Sequence, residues 1–408
     1  MTYRNYIRAN VKFILTVTSV LIFISFSLFT MSCADNPTSL GLKFVPPGDT
    51  IGVKVFDSYK DTMQIYSVNR KKYVNTSGSS NLIVGQSGNY SSKALIKFIN
   101  LPTNFDSAVI NSAVLKLWYR NYYFPASMVD SLAQISFNVY TVQQNVNYFT
   151  ITLDSVNTTL FGTTPQGSYI GAPKADSQEV DIPLNLTLVR NWLYNVADTN
   201  HGAPNYGIAL IPNSSSRVLK GFYSNNQQIA NRPTLSVILT KNNTTDTLTM
   251  DASQNLSLMD ADFPTGSPTF LLQAGIGYVQ VVRFDLSKIP STAVINDAKL
   301  FLTLDSVNSQ FTNQTSYSIV PSYRDDTTLV NFEGLSASDY GNPSGGQYIF
   351  RLILPFQRWV QGQANYGLLL NAYNQKTNLD KFAFYDVNAS DPNKRPRVII
   401  KYTPRTSK

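Results

Sequence analysis

The sequence predicts an all-β chain built as two tandem antiparallel β-sandwiches, and three observations carry that prediction. The first is an internal repeat. Ala108-Val-Ile-Asn111 returns as Ala293-Val-Ile-Asn296, Asn205-Tyr-Gly207 as Asn365-Tyr-Gly367, and Arg232-Pro233 as Arg395-Pro396, in the same order with loops of different length between. A repeat whose order survives while its spacing drifts marks structural elements joined by loops. The second is composition. Only two glutamates occur, Glu179 and Glu333, while Asn, Ser, Thr and Tyr are abundant, so strand and turn formers far outnumber good helix formers. The third is the run of short apolar segments separated by Gly, Asn and Ser turns, without the alternating helices that a parallel sheet needs.

The elements follow in order. Arg4, Arg8 and Lys12 precede an uncharged stretch from Phe13 to Ser32, the pattern of an export signal. Cys33 is the only cysteine and sits where that stretch ends, in Thr30-Met-Ser-Cys33. This resembles the lipobox of bacterial lipoproteins, in which the cysteine is lipidated and becomes the first mature residue, although Thr30 stands where Leu is usual. Two other readings stay open: Ser32-Cys-Ala34 has the small-x-small form of an ordinary cleavage site, and about 20 apolar residues are enough for an uncleaved membrane helix. Ala34 after the cysteine, rather than Asp, resembles the sorting signal for the outer membrane. The expected location is therefore the cell envelope, with a lipid anchor. Residues 34–50, with Pro46-Pro-Gly48, read as a polar tether.

The first sandwich is expected over residues 51–241 and the second over 242–408, joined near Lys241-Asn-Asn-Thr-Thr-Asp246. Clear strands in the first copy are Asn81–Gly85, Ala94–Phe98, Val114–Tyr119 and Ile135–Tyr140; the second offers Phe270–Gln273, Val279–Phe284, Ala298–Leu304 and Tyr317–Val320. One helical turn is expected in each copy, around Leu188–Trp192 and Pro355–Trp359. With no second cysteine, an exported chain has no intramolecular disulfide and is held by its cores alone. Removing the three signal cations lowers the formal charge from +8 to about +5, which suits an anionic polysaccharide or surface. No dense Lys/Arg tract points to nucleic acid.

Several of these residues group into a pattern. Trp359, Gly362-Gln-Ala-Asn-Tyr-Gly367, Phe382-Ala-Phe-Tyr385, Arg395-Pro396 and Val398–Tyr402 in the second copy match Trp192, Gly202-Ala-Pro-Asn-Tyr-Gly207, Gly221-Phe-Tyr-Ser224, Arg232-Pro233 and Leu235–Leu239 in the first. Both copies resemble the DNRLRE-domain family, which is related to disaggregatase-type repeats and grouped with carbohydrate-binding modules. The resemblance spans most of residues 51–404 and implies jelly-roll β-sandwiches and attachment to polysaccharide. It departs where family members carry an acidic residue after Ser, since Ser224 is followed by Asn225.

Residues shared by the copies most simply serve the fold: Trp192 and Trp359 supply buried area, and the glycines permit close approach. Ligand chemistry is sought where the copies differ. With a period of two, Leu115, Leu117 and Tyr119 face the core, and Lys116, Trp118 and Arg120 face out. An indole between two cations suits an acidic sugar, with Tyr122 and Tyr123 extending the platform; the plainer reading is that Trp118 is covered by the 121–130 loop or by the other domain. Catalysis finds little support. The single histidine, His201, lies in a loop with no nucleophile elbow, and no enzyme activity or required cofactor is expected. Asp251, Asp260 and Asp262 form a loose oxygen-rich set for a structural calcium, against the commoner reading of solvated turn aspartates. The expected function is a non-catalytic surface lipoprotein that binds polysaccharide, acidic chains included; the alternative is an adhesive envelope lipoprotein that binds a cell-surface protein.

Overall fold

A computed structural model describes residues 52–126, 133–262, 270–327, 332–334, 341 and 343–404. The signal segment, Cys33 and the tether lie outside the described residues. Among the described residues no helix is long and apolar enough to cross a membrane.

The first repeat contributes β1 (Lys54–Asp57), β2 (Ile65–Lys71), β3 (Asn81–Ser87), β4 (Tyr90–Lys97), β5 (Val109–Phe124), β6 (Ile135–Thr141), β7 (Gly167–Gly171), β8 (Glu179–Pro183), helix α1 (Leu186–Ala197), β9 (Ile208–Pro212), β10 (Leu219–Tyr223) and β11 (Thr234–Lys241). The second contributes β12 (Thr244–Asp251), β13 (Gln254–Ala261), β14 (Phe270–Gln273), β15 (Tyr278–Phe284), β16 (Val294–Thr303), β17 (Ile319–Arg324), β18 (Phe332–Gly334), β19 (Pro343–Ser344), β20 (Gln347–Arg351), helix α2 (Ile353–Val360), β21 (Leu368–Ala372), β22 (Lys381–Phe384) and β23 (Arg397–Thr403). The fold is all-β and antiparallel as expected, and each expected helical turn is a short amphipathic helix. Helix α1 turns Leu188, Val189, Trp192 and Leu193 inward, and Asn185 caps it by accepting the Thr187 N–H.

In the first sandwich, β12-β11-β5 form one layer with β8 on β5. The other layer is β10-β3-β4-β9-β6-β7 with β13 on β4. The long strand β5 belongs to both: its first half pairs with β11 and β8, its second with β10. The second sandwich repeats the plan, with β1-β23-β16-β20-β19 in one layer and β18-β17-β21-β15-β14-β22 plus β2 in the other. Each sandwich encloses its own apolar core, centred on Leu115, Leu117 and Trp192 in the first and on Leu300, Leu302 and Trp359 in the second.

The sheets do not divide at Lys241. Strand β1 pairs with the last strand, β23 (Lys54 opposite Tyr402), and β2 pairs with β15 (Val68 opposite Val281). Conversely β12 pairs with β11 and β13 with β4 (Leu256 opposite Leu95). Each repeat thus lends its first two strands to the other's sandwich, one to each layer. The expected boundaries 51–241 and 242–408 delimit the sequence repeats, whereas the first sandwich is continuous from β3 to β13 and the second is assembled from the two ends of the chain. The tight Asn242–Asn243 turn, with both residues at left-handed φ near 51° and 58°, sends β12 straight back along β11.

Both sandwiches fall within one compact unit, residues 53–408. Between them Ile83, Tyr90, Tyr122, Phe124, Leu219, Met259, Ile276 and Leu379 form a separate buried cluster. Polar bridges surround it: Asn81 Nδ2 donates to the Thr377 carbonyl at 2.9 Å, and the Tyr123 N–H donates to Asn313 Oδ1 at 2.9 Å.

The repeated Asn-Tyr-Gly motif has one role in both copies. Asn205 Nδ2 donates to the Phe98 carbonyl (2.5 Å) and Asn365 Nδ2 to the Phe284 carbonyl (2.8 Å), and each asparagine Oδ1 accepts the N–H of its own glycine. Gly207 and Gly367 have φ of +108° and +86°, and a Cβ on either would fall within 2.6 Å of the carbonyl of Ile96 or Val282.

Candidate functional site

Strand β5 keeps the predicted alternation through Arg120: Leu115, Leu117 and Tyr119 are buried, while Lys116, Trp118 and Arg120 are half-buried on the opposite face. The two cations there are already engaged. Lys116 pairs with Glu179, and with Asp181 at 3.4 Å, across the β5–β8 register. The hydrogen bond to Glu179 raises the Lys116 pKa, and the same contact lowers that of Glu179. Arg120 Nη1 donates to Asn81 Oδ1 at 3.0 Å, and the guanidinium lies 5.6 Å from the Tyr223 ring. The expected aromatic extension does not form. Arg120 and Asn121, the latter at a left-handed φ of 44°, bulge out between the Phe222–Tyr119 and Gly221–Tyr122 pairs; Tyr122 keeps the outward parity of Trp118 and Arg120 but is fully buried in the cluster between the sandwiches. Tyr123 packs half-buried against the first core.

The calcium set also disperses. Asp251 lies on β12 and accepts from Thr234 Oγ1 (3.2 Å), whereas Asp260 lies on β13 in the other layer and pairs with Lys71 at 3.5 Å. The Asp262 carbonyl accepts from Asn89. Among the described residues no group of three or more His, Cys, Asp or Glu side chains is placed to hold a metal. His201 is exposed, with Nδ1 2.7 Å from Asp198 Oδ2. Trp192 and Trp359 are buried core residues.

A different constellation lies on the outer face of the second sandwich. Strand β2 turns Ile65 into the core and presents Tyr66, Val68 and Arg70 outward. The β2–β15 register sets Tyr66 opposite Arg283, Val68 opposite Val281 and Arg70 opposite Val279. Arg324, at the end of β17, completes a groove of about 800 Å³ lined also by Thr327 and Asn365. The chain immediately beyond Thr327 lies outside the described residues. Arg324 is only 3% exposed and donates through Nη1 to the Tyr366 carbonyl at 2.8 Å. Burial first, and then the charge of Arg283, hold its guanidinium below the usual arginine range; Arg70 adds to the same field and Asp326 opposes it. Arg70 and Arg283 are exposed and enter no ion pair among the described residues. The one carboxylate on the groove wall, Asp285, is engaged by the Ser287 N–H, which lowers its pKa.

A second groove of about 660 Å³ adjoins the first and shares Tyr66 with it. Tyr59, Met63, Ile65, Val387, Pro392 and Pro396 give it apolar walls. The Tyr59 hydroxyl donates to the Arg395 carbonyl at 2.5 Å, and Arg397 lies 5.1 Å from the Tyr59 ring while forming a two-point ion pair with Asp57.

The same face of the first sandwich is closed. The Asn205 and Asn365 bonds align Phe98 with Phe284, so Leu95 corresponds to Val281 and Lys97 to Arg283. The β13–β4 and β2–β15 registers then equate Leu256 with Val68 and Leu258 with Arg70. Over Leu95, Ala209, Leu256 and Leu258 the segment after β6 folds down Val142, Tyr148, Ile151 and Leu160 as an apolar cover. Only Val279, Val281 and Leu369 form the corresponding buried cluster in the second sandwich. The outward alternation Tyr66-x-Val-x-Arg70 is a visible signal for this site, but the residues it faces come from the other repeat, some 200 positions away.

Comparison of the chain with protein-family models, with curated proteins and with solved structures finds no match.

Proposed function

We propose that this protein is a non-catalytic envelope lipoprotein, anchored through Cys33, that binds acidic polysaccharide in the arginine groove of its second sandwich. The observation that carries the reading is the set Arg70, Arg283 and Arg324 gathered around the exposed ring of Tyr66, on a face that the first sandwich seals. Guanidinium groups recognise carboxylates through paired, charge-assisted hydrogen bonds, and an exposed tyrosine ring offers an apolar face to sugar C–H groups. Fixed positive charge in a concave site also raises the local concentration of a polyanion. The family resemblance read from the sequence points the same way. Affinity for uronate-containing chains should fall about tenfold or more in Arg70→Ala and in Arg283→Ala, and should weaken steeply with added salt. Calorimetry on the chain from residue 34 onward measures both; undiminished affinity in both variants rejects the groove. The mass of the mature N-terminal peptide reads the lipid on Cys33.

A further inference from the structure

The groove pair favours a particular kind of acidic chain, and this step rests on the binding role just proposed. We infer that the ligand alternates an anionic sugar with an uncharged, acetyl-bearing one: the carboxylate in the Arg70–Arg283–Arg324 groove, its neighbour in the groove walled by Tyr59, Met63 and Val387. Three observations support this. The grooves share Tyr66, so whatever fills one abuts whatever fills the other. Their chemistry differs sharply. The second groove is walled mainly by apolar and aromatic side chains; Arg397 beside it is clamped to Asp57, and the one arginine in its lining, Arg395, gives Nε to the Ala389 carbonyl at 2.8 Å. A second carboxylate placed there would lose water against apolar walls and meet one arginine where the first groove gathers three, a weaker offset. Finally, Tyr66 is 54% exposed and Tyr59, with Arg397 over one ring face, is 40% exposed, which leaves the Tyr66 ring and the free face of Tyr59 to a sugar, while Met63, Val387 and Pro392 form an apolar recess suited to a methyl group.

The test compares three probes on the full-length chain in detergent: hyaluronan oligosaccharides, polygalacturonate of equal length, and chitin oligosaccharides. Hyaluronan should bind at least tenfold tighter than either homopolymer. Tyr59→Ala should erase that preference while leaving polygalacturonate affinity unchanged, and Arg70→Ala should weaken both acidic polymers. Val387→Ser, which trims the recess without touching Tyr59, should reduce hyaluronan binding alone and guards against a misfolded Tyr59 variant. Equal affinity for the two acidic polymers, with Tyr59→Ala and Val387→Ser both silent, overturns the alternating ligand and leaves the arginine groove standing. Indifference of every probe to Arg70→Ala overturns the groove itself, and the alternating ligand with it.

Discussion

At the scale of single residues, the repeat is explained by backbone groups that must be satisfied. Asn205 and Asn365 each bond a strand-end carbonyl and the N–H of the glycine two residues on, which is why the pair recurs while its surroundings drift. Such residues were legible as scaffold. The burial of Tyr122 was not, because its outward parity follows the pattern while the residues that cover it, Ile276 and Leu379 among them, come from far along the chain. Asp57 yields a prediction at this scale. The hydrogen bond from Arg397 holds its carboxyl below the ordinary aspartate range. The pair therefore adds stability at pH values above the unfolded-chain pKa, and that stability disappears as the pH falls through the lower folded value. Because Arg397 is about a third exposed, solvent screening limits the contribution to about 1 kcal/mol. Asp57→Asn should lower stability at neutral pH by that amount and flatten the acid limb between about pH 4 and the folded pKa, as read by urea unfolding across pH.

At the scale of elements, one strand position has opposite surroundings in the two sandwiches. Leu258 is buried beneath Tyr148 and Ile151, whereas its counterpart Arg70 is exposed in the groove. The sequence shows both residues on outward positions of a strand, but period two cannot say whether a loop later folds over that face. Exchanging them should expose the asymmetry. Leu258→Arg buries a cation with no partner and should cost about 3 kcal/mol or more, whereas Arg70→Leu should leave the denaturation midpoint within about 0.5 kcal/mol. Equal effects in the two variants would show that the cover over β13 does not exclude water.

At the scale of the whole molecule, the duplication and the all-β class were readable because they depend on local pattern and composition. The exchange of the first two strands was not, because either repeat's opening strands satisfy the same alternation in either sandwich. Only the Asn242–Asn243 turn, which commits β12 to β11, breaks the tie. The consequence is measurable with fragments. Residues 73–262 contain every strand of the first sandwich and should fold alone with a cooperative transition. Residues 51–241 lack β12 and β13, leaving Leu95 and Ala209 uncovered on one side, and should fold poorly or associate. Residues 242–408 should gain cooperative structure when a peptide spanning 53–72 is added. Circular dichroism melts of the three fragments check this, and an independently stable 51–241 fragment would contradict the exchange.

The position of β1 also decides how the molecule carries tension. It follows directly on the N-terminal segment, is zipped to β23, and leads through β2 into the floor of the groove. Under the proposed lipid anchoring and polymer binding, a pull between the N-terminus and a polymer seated on Tyr66 and Arg70 would run through the second sandwich and out along β1. The first sandwich lies off that line of force. It can therefore stay folded while its twin is strained, and the short β1–β23 seam becomes the weakest link under load.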